Sequence, residues 1–228
     1  MPDTTPLLAS FFSPQSCSLK ICGVTSAADA QGLVECGVAA LGVNFWPLSK
    51  RYISPDDAAP WLRAVRGSIL RVGVFVNAAV DFIAELHAQG LIDVAQLHGD
   101  ESPEDLQQLL ERGIPCIKAI GIRDEDDLAQ LASYSAANAL LLDTAAPGVY
   151  GGTGATFDWS LAIEAMLRHP EMPILLAGGI TPSNAAEAIA KVHPAAIDIA
   201  SGAESAPGVK DFHKVKALQS AILLRSEK

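Results

Sequence analysis

The chain lacks any apolar run approaching the roughly 18 residues that a membrane-spanning helix requires. It is also short of charge: only 18% of its 228 residues are charged, against 50% hydrophobic, which excludes a disordered chain. Scattered glycine and regular interruptions exclude collagen-like and coiled-coil chains. Basic residues are scarce, 16 Lys and Arg against 26 Asp and Glu, for a net charge of −10. No nucleic acid and no anionic membrane is expected as a partner, because phosphate backbones require clustered cations. A small anionic substrate is still allowed. The four cysteines, Cys17, Cys22, Cys36 and Cys116, show no C-x2-C metal spacing. Reduced thiols in a cytoplasmic protein are the simplest account. No Lys or Arg precedes the patch Leu7 to Phe12, so it lacks the n-region of a signal peptide. Residues 1–18 therefore read as a flexible lead-in without a role, and 19–228 as one domain.

What is present is a repeated beat of short apolar run, turn and amphipathic stretch. Eight runs begin at residues 19, 40, 71, 94, 116, 139, 174 and 196. Most intervals fit one compact βα unit; the connections after the second and sixth runs hold extra loop. Ser26, Ser54-Pro55, Ser102-Pro103 and Thr181-Pro182 read as helix starts, with a hydroxyl N-cap and, in the last three, proline next. Gly37, Gly90 and Gly113 stand where helices should stop. Eight βα units without spare strands predict a single-domain α/β protein, a (β/α)8 TIM barrel. A doubly wound open sheet is the alternative.

Alternation along the strands divides their faces. One face carries Lys20, Cys22, Gln96, His98, Lys118, Asp143 and Asp198, and this face is expected to point into the barrel. Buried charge needs a partner or a function. Lys20 and Asp198 would be neighbours where strand 8 closes on strand 1. Their pairing explains both as well as a functional role does.

Barrel chemistry collects at the C-terminal strand ends. Those ends bring together Cys22, His98 and Asp143. Gly178-Gly179 and Ser201-Gly202 close the last two strands, where backbone N–H groups can hold a phosphate. Cys22 reads either as a small buried hydrophobe or as a base, the latter requiring nearby cations to favour the thiolate. Asp143 reads as a cap, as a partner for Lys118, or as an acid that keeps its proton near neutrality. His98 fits an acid/base group, a substrate donor or a satisfied core histidine equally. Arg51, in NFWPLSKRYISP, is either a carboxylate fork or an ordinary loop arginine. Lys118 sits too deep for a Schiff base. The long sixth connection, with Gly151, Gly152 and Gly154, reads as a mobile lid and not as a phosphate-binding Walker loop.

Taken in order, KICGVT, NFWPLSKRYISP, VGVFVN, QLHGDE, LLLDT with GGTGATFDW, LAGGITPSN and DIASGAESAPGVKD resemble the phosphoribosylanthranilate isomerases of tryptophan biosynthesis. The match runs from about Lys20 to Asp211. The resemblance implies an Amadori rearrangement of a small phosphoribosyl substrate, with no cofactor and no metal. It places the general base on Cys22, the general acid on Asp143 and the anthranilate carboxylate on Arg51. FWPLSKR departs from the usual FYPKSPR-like run, which leaves Lys50 without an assigned part. A monomer is favoured.

Overall fold

The computed structural model describes residues 5–13, 17–144 and 158–223. A short helix α1 (Thr5–Phe11) precedes β1 (Ser18–Ile21) and α2 (Ala27–Glu35). The βα units continue with β2 (Ala40–Asn44), α3 (Pro55–Ala64), β3 (Leu70–Phe75), α4 (Val80–Ala88), β4 (Val94–Leu97) and α5 (Pro103–Glu111). Next come β5 (Cys116–Ile122), a 3-10 helix (Glu125–Tyr134), β6 (Ala139–Thr144), α6 (Trp159–Arg168), β7 (Ile174–Leu176), α7 (Ala185–Val192) and β8 (Ala196–Ile199). These eight strands close in sequence order into one parallel barrel. After β8 a short 3-10 turn (Ser201–Ala203) leads into an antiparallel pair, β9 (Glu204–Ala206) and β10 (Val209–Lys210), and then α8 (Phe212–Leu223). That hairpin adds two short strands that the eight-fold pattern does not contain.

Local chemistry sets most boundaries. Ser26, Ser54 and Ser102 each accept a backbone N–H of their helix, and Ser102 with Asp105 forms a reciprocal capping box. Gly37, Gly90 and Gly113 end their helices at φ of +68°, +68° and +74°. The expected Thr181 cap fails: α7 begins later, behind Asn184, whose Oδ1 accepts the Thr181 N–H at 2.8 Å. Asparagine out-competes the hydroxyl by folding the preceding turn back on itself.

Two apolar layers follow from strand alternation. Val72, Val94, Ile117, Leu141 and Leu175 pack together inside the barrel. Leu19, Ile21, Leu97, Leu140, Ile197 and Ile199 face outward into the helices. Lys118 departs from the expected placement. Ile117 and Ala119 take the inward positions of β5, so Lys118 turns outward. There it pairs with Glu101 at 2.8 Å and donates to Gly99 O at 2.6 Å, and it is no partner of Asp143. Glu101 also accepts the N–H groups of Asn77 and Gly99, so the outward pair fixes the loop that carries His98.

The lead-in is not structureless over 5–13. Phe11 is 1% exposed and belongs to the same buried cluster as Ala40, Leu70, Ala139 and Ala196, the first residues of four strands. The helix therefore seals the barrel floor, its aromatic ring filling the space that the three alanines leave. Phe11→Ala should lower stability by about 3–5 kcal/mol in chemical denaturation. Turnover should stay at the parent value, since the floor lies opposite the strand ends where the chemistry collects.

Candidate active site

Of the residues expected at the mouth, His98 and Asp143 are in contact. Cys22 follows β1 and its N–H donates to Ile199 O of β8 at 2.8 Å. Asp143, on the same inward face of β6 as Leu141, is 7% exposed. Its Oδ1 accepts the Thr144 N–H at 2.7 Å, and its Oδ2 lies 3.4 Å from His98 Nε2. On the other side of that ring, Nδ1 is 2.7 Å from Gln96 Nε2. His98 is thus oriented by a neighbouring amide and aimed at the Asp143 carboxyl. Cys22, just past the end of β1, and Asp143 on β6 stand three strands apart around the closed barrel and share its inward rim.

The loops beyond β7 and β8 pack on this rim. Gly178 has φ +78°, and a Cβ there would collide with Thr144 Oγ1 and lie 3.1 Å from Asp143 Oδ1. Only glycine fits against the Asp143 carboxyl in that conformation. A Cβ on Gly202 would collide with the Ile180 carbonyl. The two loops carrying Gly178, Gly179, Ser201 and Gly202 are therefore in direct contact, and Asn184 Nδ2 ties the first of them through Gly179 O at 3.1 Å.

Arg51 is not a free loop arginine. Its Nε and Nη2 donate to the two carboxylate oxygens of Glu204 at 2.8 and 2.7 Å. Its stem lies against Gly23, where any side chain would collide with Cδ. Lys210 completes the cluster, donating to Glu204 at 2.7 Å and to Cys22 O at 2.5 Å. Burial alone would raise the Glu204 carboxyl; Arg51 and Lys210 outweigh it and hold it below its ordinary value. Sequence reasoning gave Glu204 and Lys210 no part. Both stand in the motif SGAESAPGVKD, but only the hairpin after β8 turns them toward Cys22.

The expected pairing of Lys20 with Asp198 is present: Nζ donates to both carboxylate oxygens at 2.8 Å. The Cys22 thiol does not sit low, as a resting thiolate would. Burial pushes it above its ordinary value, and Lys20 and Lys210 offset only part of that. Cys116 is pushed up to about 12 by burial and is inert. The glycine-rich sixth connection, 145–157, lies outside the described residues.

Fold and rim together define a (β/α)8 barrel that carries a thiol, an imidazole and a carboxyl at the C-terminal strand ends, where enzymes of this fold hold their active sites. The family model for N-(5'phosphoribosyl)anthranilate (PRA) isomerase matches residues 19–221. An N-(5'-phosphoribosyl)anthranilate isomerase of Myxococcus xanthus is 47% identical over 212 residues, covering 90% of this chain and 96% of that one. The crystal structure of phosphoribosyl anthranilate isomerase from Thermotoga maritima superposes with a TM-score of 0.83 at 38% identity, covering 91% and 98% of the two chains. A further isomerase structure, holding reduced 1-(o-carboxyphenylamino)-1-deoxyribulose 5-phosphate, superposes at 0.79 with 36% identity, covering 91% and 98%. The chain belongs to the N-(5'-phosphoribosyl)anthranilate isomerase family, and it is an isomerase of tryptophan biosynthesis.

Proposed function

We propose that the rearrangement runs between Asp143 as general acid and Cys22 as general base. The observation that carries this reading is the placement of one carboxyl and one thiol on the inward rim, beside the glycine loops that close β7 and β8. Asp143 gives its proton to the furanose ring oxygen. The C1–O bond breaks with its electron pair on oxygen, and the anilino nitrogen closes a C1=N iminium. The Cys22 thiolate then removes the C2 proton. The C–H pair forms C1=C2, and the iminium electrons return to nitrogen. One proton returns to C1 and one leaves the C2 hydroxyl, which yields the ketone and restores both side chains.

The reacting form is the enzyme whose Cys22 has already lost its proton to solvent; burial disfavours that thiolate, and Lys20 and Lys210 favour it. Backbone N–H groups of Gly178, Gly179, Ser201 and Gly202 hold the phosphate, and His98 donates to the substrate near the ring oxygen. Arg51 takes the anthranilate carboxylate with Nη1, the nitrogen that Glu204 leaves open. Purified protein should discharge the fluorescence of phosphoribosylanthranilate and yield the carboxyphenylamino-deoxyribulose phosphate. Failure to convert that substrate sinks the assignment.

Arg51→Ala should raise KM by about 10- to 100-fold, the worth of one charge-assisted contact, with a smaller effect on kcat. Competition by an anthranilate-bearing analogue should weaken more than competition by a bare pentose phosphate. Equal weakening of both would move Arg51 away from the carboxylate.

A further inference from the structure

Beneath Cys22 lies a charge pair to which the chemistry above gives no task. Lys20 is fully buried on β1 and faces its register partner Asp198 on β8. A buried ion pair is seldom more stable than apolar residues of the same volume, and the neighbouring interior is alanine, valine and leucine. What the pair faces upward is Cys22, two residues further along the same strand face. The adjoining strand β2 places Gly42 beside both. A Cβ there would lie 2.8 Å from Cys22 Sγ and 3.0 Å from Lys20 Nζ. Thiol and ammonium thus approach through one gap, which any other residue at position 42 would fill.

We propose that Lys20 is the positioning residue for Cys22: its ammonium, steered by Asp198 and admitted by the missing side chain at Gly42, is the cation against which the thiolate forms. Lys20 acts through Cys22 and touches no substrate. Among the described residues, four charged groups act on the thiol: Lys20 of β1, Asp198 of β8, Lys210 of β10 and Arg51 of the loop after β2. Lys20 is the strongest of the influences that oppose burial of the thiol. Burial works against the ammonium too, yet Asp198 and Cys22 hold it above its ordinary value, so it keeps its charge through neutral pH.

The inference rests on Cys22 as the base, but its test reads the thiol without turnover. The full-length protein is alkylated with iodoacetamide across a pH series, and mass spectrometry follows the peptide carrying Cys22. In Lys20→Gln the midpoint should rise by about one pH unit or more, so that alkylation at neutral pH falls at least about tenfold. The parent kcat should fall in parallel while KM holds. Should Lys20→Gln not fold, Lys20→Met/Asp198→Leu removes both charges together and, because Asp198 itself pushes the thiol up, should show a smaller rise in the same direction. Gly42→Ala, which keeps both charges but wedges them from the thiol, should move the midpoint the same way by less. An unchanged midpoint in the folded Lys20 variant overturns the proposal, whatever happens to kcat. A raised midpoint with full kcat overturns the part of Lys20 in catalysis and the base role of Cys22 together.

Discussion

Cys22→Ser should lose roughly 10²–10⁴-fold in kcat, the span expected when one proton-transfer group is removed, while KM changes little. A serine hydroxyl is far less acidic than a thiol, so almost no anion forms at neutral pH even beside Lys20. The substitution is nearly isosteric, and the backbone N–H of residue 22 still reaches Ile199 O, so the barrel should fold normally. Removal of the C2 proton then becomes the slow step. Substrate deuterated at C2 should show a larger kinetic isotope effect in this variant than in the parent. Parent-like kcat would remove Cys22 from the reaction.

Asp143→Asn should lose a comparable factor, on the order of 10²–10⁴, for the opposite reason. The amide keeps the shape of the carboxyl and a carbonyl oxygen for the Thr144 N–H, but it has no acidic proton for the ring oxygen. Ring opening becomes limiting, so the isotope effect at C2 should shrink toward unity. The two variants thus share a loss of rate and differ in the sign of the isotope change. Both moving the same way would mean that acid and base are not separated between β6 and β1. Gly178 gives an independent check: Gly178→Ala adds a Cβ against Asp143 and Thr144 at positive φ, and should lower kcat with the carboxyl still present.

Much of the frame was legible in residue order. Apolar runs at βα intervals, hydroxyl caps and terminal glycines are local signals, and local chemistry decides helix ends. The period-2 alternation correctly sent Cys22, His98, Asp143 and Asp198 inward. It failed at Lys118 because both faces of β5 are largely apolar there, Ile117 and Ala119 against Cys116 and Ile120, and only packing against the neighbouring strands chooses between them. The lead-in offered no alternation to read, and the seven residues of α1 carry no local signal of what they will cover. Phe11 finds its place only once four strands have presented alanine and leucine around one axis.

Arg51 shows the same division. Its residue type and loop left it either a carboxylate fork or an ordinary loop arginine, and the Glu204 carboxylate that holds it is 153 residues away in sequence. The sequence by itself determined the number of units, the inward identity of the thiol, imidazole and carboxyl, and the family, because these depend on spacing and side-chain period. Only the tertiary structure decided which charges neutralise one another: Lys20 with Asp198, Lys118 with Glu101, and Arg51 and Lys210 with Glu204. Barrel closure decides that, because ion pairs form through a few ångströms of space and carry no mark of their partners along the chain.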